Sequence, residues 1–227
     1  MTDEDAGDHQ HPEHHHGHAH DRGLSGALRY LRWAPQMWRS EINDAVVELV
    51  DPQRHQRVVD IGAGMGAATV RAAKRGASVT AVEPTPFLRR ILQVRRGFQR
   101  ARKRIHVVDG AAEHIPLPDR SADAVWATNT MHHWVDPADG LAEIARVLRS
   151  GGRMVLVDED FDDPAHPEHD RFGSAESDRF HMVDIERMGQ LAAAAGLASV
   201  TAGARQLADR PVLAVIAEGP ERGRAAG

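Results

Sequence analysis

Residues 58–70 read VVDIGAGMGAATV, a short run of strand formers, three glycines at alternate positions, and then helix formers. Such a succession is a strand–turn–helix junction, whose exposed backbone amides can cradle a ligand at the start of the helix. The spacing Gly62-x-Gly64-x-Gly66 is one residue short of the G-x-G-x-x-G of dinucleotide-binding turns. Ala67 fills the place of the missing third glycine, so a small residue is still present and a dehydrogenase stays open. Asp60 is the second clue. A carboxylate aimed into the turn opposes a pyrophosphate and suits a cationic ligand such as a sulfonium amino acid.

Outward from this junction, strand and helix patterns alternate. Strands are expected at 57–61, 78–83, 105–109, 123–128 and 154–158. Helices fall between them: 67–75 closed by Gly76, one opened by Thr85-Pro86, and one opened by Asp136-Pro137. The helix after Pro86 is expected to face inward through Phe87, Ile91, Val94 and Phe98, leaving Arg89, Arg90, Gln93, Arg96 and Arg100 outside. A helix over 182–195 and strands near 198–207 and 211–217 complete the series. Alternation of this kind predicts an α/β protein with a mostly parallel sheet and its ligand at the carboxyl ends of the strands. Glu83 ends the second strand about twenty residues after the turn, where an acid can accept both hydroxyls of a ribose.

Asp109 follows the third strand, and NTMHHW (129–134) follows the fourth. With AEIARVLRSGGRMVLVDE (142–159), these ordered segments resemble the class I S-adenosylmethionine-dependent methyltransferases, in the branch that includes the ubiquinone and menaquinone methyltransferases. The similarity runs from about Val58 to Asp158. Ser150 stands where that family usually has Pro in a Pro-Gly-Gly turn. The resemblance implies a Rossmann-like, seven-stranded sheet of order 3-2-1-4-5-7-6 with the last strand antiparallel. It also implies that Asp60, Gly62, Gly64 and Gly66 line the amino-acid half of S-adenosylmethionine and that Glu83 holds the ribose. Asp109, with the Gly110 and Ala111 backbone, would meet the adenine, and Asn129 would lie by the methionine portion.

Two candidates for chemistry remain beside the cofactor set. His132 and His133 follow the fourth strand, where an imidazole can deprotonate a hydroxyl acceptor; the alternative is a pair that packs and orients the loop. The loop 158–170 carries Asp158, Asp162, His166 and His169, side chains of metal-ligand type without an established spacing. A divalent metal is therefore possible there but not expected. The basic stretch 89–104 has no interleaved stacking aromatics, and nucleic acid is not expected as a partner.

The organisation expected is a disordered acidic, His-rich tail over 1–23, cap helices over 24–52, the methyltransferase domain over 53–219 and a disordered tail over 220–227. Tyr30, Trp33 and Trp38 in the cap are the expected substrate contacts. The chain lacks cysteine, which excludes thiolate metal sites, disulfides and a cysteine nucleophile. No apolar run approaches membrane-spanning length and the start is polar, so a cytoplasmic protein without a membrane partner is expected. The expected reaction moves a methyl group to an O, N or C nucleophile of a small molecule. The alternative from another class is a methyltransferase-like scaffold that senses S-adenosylmethionine or metal without turnover.

Overall fold

The computed structural model describes residues 40–172 and 183–221. The expected tail 1–23, most of the cap including Tyr30, Trp33 and Trp38, and residues 222–227 lie outside them. Helix α1 (Glu41–Val50) precedes β1 (Arg57–Ile61), α2 (Ala67–Arg75), β2 (Ser78–Val82), α3 (Pro86–Gly97) and β3 (Ile105–Val108). There follow β4 (Ala122–Thr128), α4 (Pro137–Val147), β5 (Leu148–Glu159), the short α5 (His169–Phe172), α6 (Ile185–Ala194), β6 (Ala198–Leu207) and β7 (Arg210–Glu218). The seven strands form one sheet in the order β3-β2-β1-β4-β5-β7-β6. β1 to β5 are parallel, and β7 runs antiparallel to both of its neighbours.

Local chemistry explains the elements that carry this order. The central strands are apolar on both faces because helices cover both, as a parallel sheet requires. Ile42, Val46, Ala68 and Ala72 of α1 and α2 fill one side with Val58, Val79 and Trp126. Leu141, Ile144 and Met188 of α4 and α6 fill the other with Val59, Val125 and Leu156. α4 starts where Asp136 accepts from the amides of Ala138 and Asp139 at 2.8 and 3.1 Å, with Pro137 in the first turn. β5 is longer than its apolar run because pairing with β4 resumes at Leu148, across an irregularity at Gly151-Gly152.

α1 and α2 run parallel. Asp44 pairs with Arg71 and Glu48 with Arg75, four residues further along in each helix. Ser40 therefore sits level with the start of α2, at the carboxyl edge of the sheet.

The inward face of α3 departs from the sequence expectation. Val94 is 64% exposed and Phe98 85%, whereas Leu92 is fully buried. Phe87 and Ile91 of the expected line are half-buried, but toward the end of the helix the covered line passes through Leu92 and Arg95 instead of Val94 and Phe98. Arg95 stands in that line because its stem spans the contact and its guanidinium donates to the Met65 carbonyl at 2.9 Å. Burial, and secondarily the charge of Arg71, lowers the Arg95 pKa to about 10.

Leu92 also fixes what can follow β1. Gly66 has φ 77°, and a Cβ there would lie 2.1 Å from the Leu92 Cδ1. Gly66→Ala should cost roughly 1–3 kcal/mol in urea unfolding through overpacking and backbone strain. Leu92→Ala in the same chain should relieve the overlap but not the strain, so the double variant should lose less than the sum of the two single costs.

Candidate functional site

The glycine turn is positioned by the strand beside it. The Ala63 amide donates to the Val82 carbonyl at 3.1 Å, and the Gly64 amide donates to the Glu83 carboxylate at 2.8 Å. The other Glu83 oxygen accepts from the Thr85 amide at 2.8 Å. Glu83 is thus buried between two loops, with one acceptor site on each oxygen still open. Gly64 faces open space: a Cβ there would meet only the Gly62 carbonyl, at 3.9 Å. Gly62, in contrast, packs against the Thr130 side chain, which brings the turn after β4 onto the glycine turn.

Asp60 lies buried under this turn and accepts from the Thr69 hydroxyl. Desolvation raises its pKa to about 7, although Thr69 and the adjacent Trp126 pull it downward. A carboxyl that resists ionisation for want of a positive partner fits the ammonium of a cationic ligand. Together with the free rim at Gly64 and the open acceptors on Glu83, this set of acceptors fits S-adenosylmethionine.

The remaining expected residues are gathered unevenly. Asp109 sits at the end of β3, but its carboxylate is gripped by Arg89, a residue the sequence reading placed on the solvent side of its helix. The Ala111 amide bonds the His114 carbonyl at 3.3 Å, and Gly110 is pressed against that carbonyl and Pro116. Asn129, in the left-handed region at φ 54°, spends its side chain on Glu159: the amide donates to the carboxylate at 2.7 Å and the oxygen accepts from the Glu159 amide at 2.8 Å.

Asp158 organises the turn after β4. Its carboxylate accepts from the amides of Thr130, Met131 and His132 and from the His132 ring at Nδ1, 2.7 Å away. His133 lies alongside, with ring centroids 3.9 Å apart. The candidate metal set 158–170 is not brought together. Asp158 serves the turn, His166 faces Glu159 at 3.3 Å, and His169 contacts the Phe161 carbonyl. Among the described residues no group of three or more such side chains is placed to hold a metal. Arg210, missed in the sequence, joins Glu159 at 2.8 Å from the neighbouring strand β7. It carried no motif, and only the sheet order brings it there.

Residues 59–156 match the family described as "Methyltransferase domain". An uncharacterised methyltransferase of Mycobacterium tuberculosis is 44% identical over 106 residues, covering 47% of this chain and 41% of that protein. Over residues 59–156 the chain is similar to the S-adenosylmethionine-dependent methyltransferases. A demethylmenaquinone methyltransferase of Clavibacter sepedonicus is 33% identical over 123 residues, covering 54% of this chain and 47% of that one. The chain therefore spans less than half the length of these two curated relatives. Among solved structures, an S-adenosylmethionine-dependent methyltransferase of Aquifex aeolicus superposes with a TM-score of 0.60 at 18% identity, over 78% of this chain and 88% of the other. That likeness shows the methyltransferase fold. No helix among the described residues is long and apolar enough to cross a membrane.

The raised pKa of Asp60 makes ligand-free stability depend on pH. Below about pH 4 the group is protonated whether the chain is folded or not. Between there and about 7 the folded protein keeps a proton that the unfolded chain has lost, so stability falls as pH rises. Asp60→Asn cannot ionise. Its melting temperature relative to the wild type should rise from pH 5 to pH 8, by an amount corresponding to a few kcal/mol, as read by thermal melts across that range.

Proposed function

We propose that the protein transfers the methyl group of S-adenosylmethionine to an O, N or C nucleophile of a small molecule. One observation carries the reading: two buried carboxylates, Asp60 and Glu83, end neighbouring parallel strands on either side of a glycine turn. A pyrophosphate at that turn would set negative charge against Asp60, whereas an ammonium or sulfonium offsets the cost of its burial. The methyltransferases that the chain resembles support the same choice.

When bound, S-adenosylmethionine supplies a methyl group already activated on positive sulfur. The chain's own residues then hold and orient. Glu83 accepts the ribose hydroxyls with its two open acceptor sites, and Asp60 answers the charge of the amino-acid half. Gly62, Gly64 and Gly66 keep the backbone low enough for close approach. Asp109, Gly110 and Ala111 border the adenine, and Asn129 borders the methionine portion through its backbone, since its side chain is committed to Glu159.

In this reading His132, whose ring meets Asp158 through Nδ1 at 2.7 Å, is the first candidate to take a proton from a hydroxyl acceptor. His133, exposed beside it, is the second candidate. Carbon or amine acceptors that are already nucleophilic need only the positioning.

Titration calorimetry with S-adenosylhomocysteine tests the reading. The wild type should bind with micromolar affinity and give no heat with NAD. Glu83→Gln, which keeps the shape but loses the charge, should weaken binding by about tenfold or more. Binding of NAD, or no binding of S-adenosylhomocysteine, would overturn the proposal.

A further inference from the structure

We propose that Arg89 sets base discrimination at the nucleoside end of the site by holding Asp109 in one orientation. The inference rests on the cofactor reading above and extends it to a residue on α3.

Asp109 by itself is poorly suited to recognition. Its side chain is 73% exposed, and a carboxylate in that setting is hydrated and free to rotate. A ligand amine that bonds it must displace water and freeze the rotor, which cancels much of the gain. Arg89 removes that cost. Its Nη1 donates to one Asp109 oxygen at 2.7 Å and its Nη2 to the other at 3.0 Å, a two-pronged grip that fixes the plane of the carboxylate.

The guanidinium is fixed in turn. The two hydrogens of Nη1 are shared among that oxygen and the carbonyls of Glu83 and Pro84, which lie 2.7 and 2.6 Å away, and the Arg89 side chain is only 17% exposed. One side chain thus stitches the carboxyl end of β2, which carries the ribose candidate Glu83, to the end of β3, which carries the base candidate Asp109. An ordinary surface ion pair contributes little and holds nothing in place. This one has its cation half-buried and anchored on backbone, while the carboxylate faces out.

Each Asp109 oxygen keeps one acceptor site beyond the Arg89 fork. The held carboxylate therefore selects a donor, such as the exocyclic amine of adenine. It rejects a base with a carbonyl at that position, where lone pair would face lone pair. Arg89 touches neither ligand nor reacting atoms in this account and is a positioning residue. Lysine cannot replace it, because a single ammonium cannot grip both carboxylate oxygens and two carbonyls.

The test is a double-mutant cycle by calorimetry with two probes, S-adenosylhomocysteine and its deaminated analogue S-inosylhomocysteine. The wild type should prefer the adenosine compound by about tenfold or more. Arg89→Gln and Arg89→Lys should both lose most of that preference, weakening the adenosine compound by about tenfold and the inosine compound far less. In an Asp109→Ala background, Arg89→Gln should cost less than about twofold. Urea unfolding of each variant separates a misfolded loop from a lost grip. Equal losses for both probes, or the same loss with and without Asp109, would overturn the proposal and leave Arg89 a builder of the loop. A wild type that binds both probes equally would overturn it while sparing the cofactor reading. A wild type that binds neither overturns both.

Discussion

The hydrogen bond from the Gly64 amide to the Glu83 carboxylate, 2.8 Å long, ties the end of β1 to the end of β2. With the bond from Ala63 to Val82, it keeps the glycine turn folded back over the sheet instead of opening into solvent. The start of α2, the seat of Leu92 under Gly66 and the contact of Gly62 with Thr130 all depend on where that turn lies. Glu83 is therefore structural before any ligand arrives. The acid expected to recognise a ribose also shapes the cradle that surrounds it, so recognition and local folding share one side chain.

Buried charge is distributed along the carboxyl edge in two ways. Glu83, Asp158 and Glu159 are satisfied within the protein by amides, by His132 and by Arg210. Such groups are costly to strip of partners and hold loops in single arrangements. Asp60 differs, having only neutral donors around it: the hydroxyl and amide of Thr69 and the indole of the next strand. Of these carboxyls, it is the one whose surroundings leave the charge uncompensated. The edge thus combines rigid walls with a single unsettled group at its centre.

Much of this was legible from periodicity and punctuation. β1, α2, β6 and the start of α4 lie where the apolar runs, Gly76 and Asp136-Pro137 put them, because local signals and packing agree there. The strand order came from the family resemblance. The face of α3 was misread because an arginine stem does the work of an apolar side chain at position 95, and hydrophobic spacing is blind to that. The partners of Asp109, Asn129 and Asp158 were invisible for another reason. Arg89 is twenty residues from Asp109, Asn129 thirty from Glu159, and Glu159 fifty-one from Arg210. Only the assembled sheet makes these pairs neighbours, and no local pattern encodes them.

The parallel run of α1 and α2 has a practical side. It sets Ser40 at the rim of the candidate site, level with the glycine turn. The other end of the described chain behaves differently: the Gly219 amide bonds the Gly152 carbonyl at 2.6 Å, at the amino end of the main run of β5 and so on the opposite edge of the sheet. A label carried at Ser40 itself therefore stands beside the mouth of the site and can crowd it. The same label at Gly219 stands on the far edge. A tether at Gly219 would thus leave the mouth clear, and a fluorophore at Ser40 would stand close enough to report on its filling.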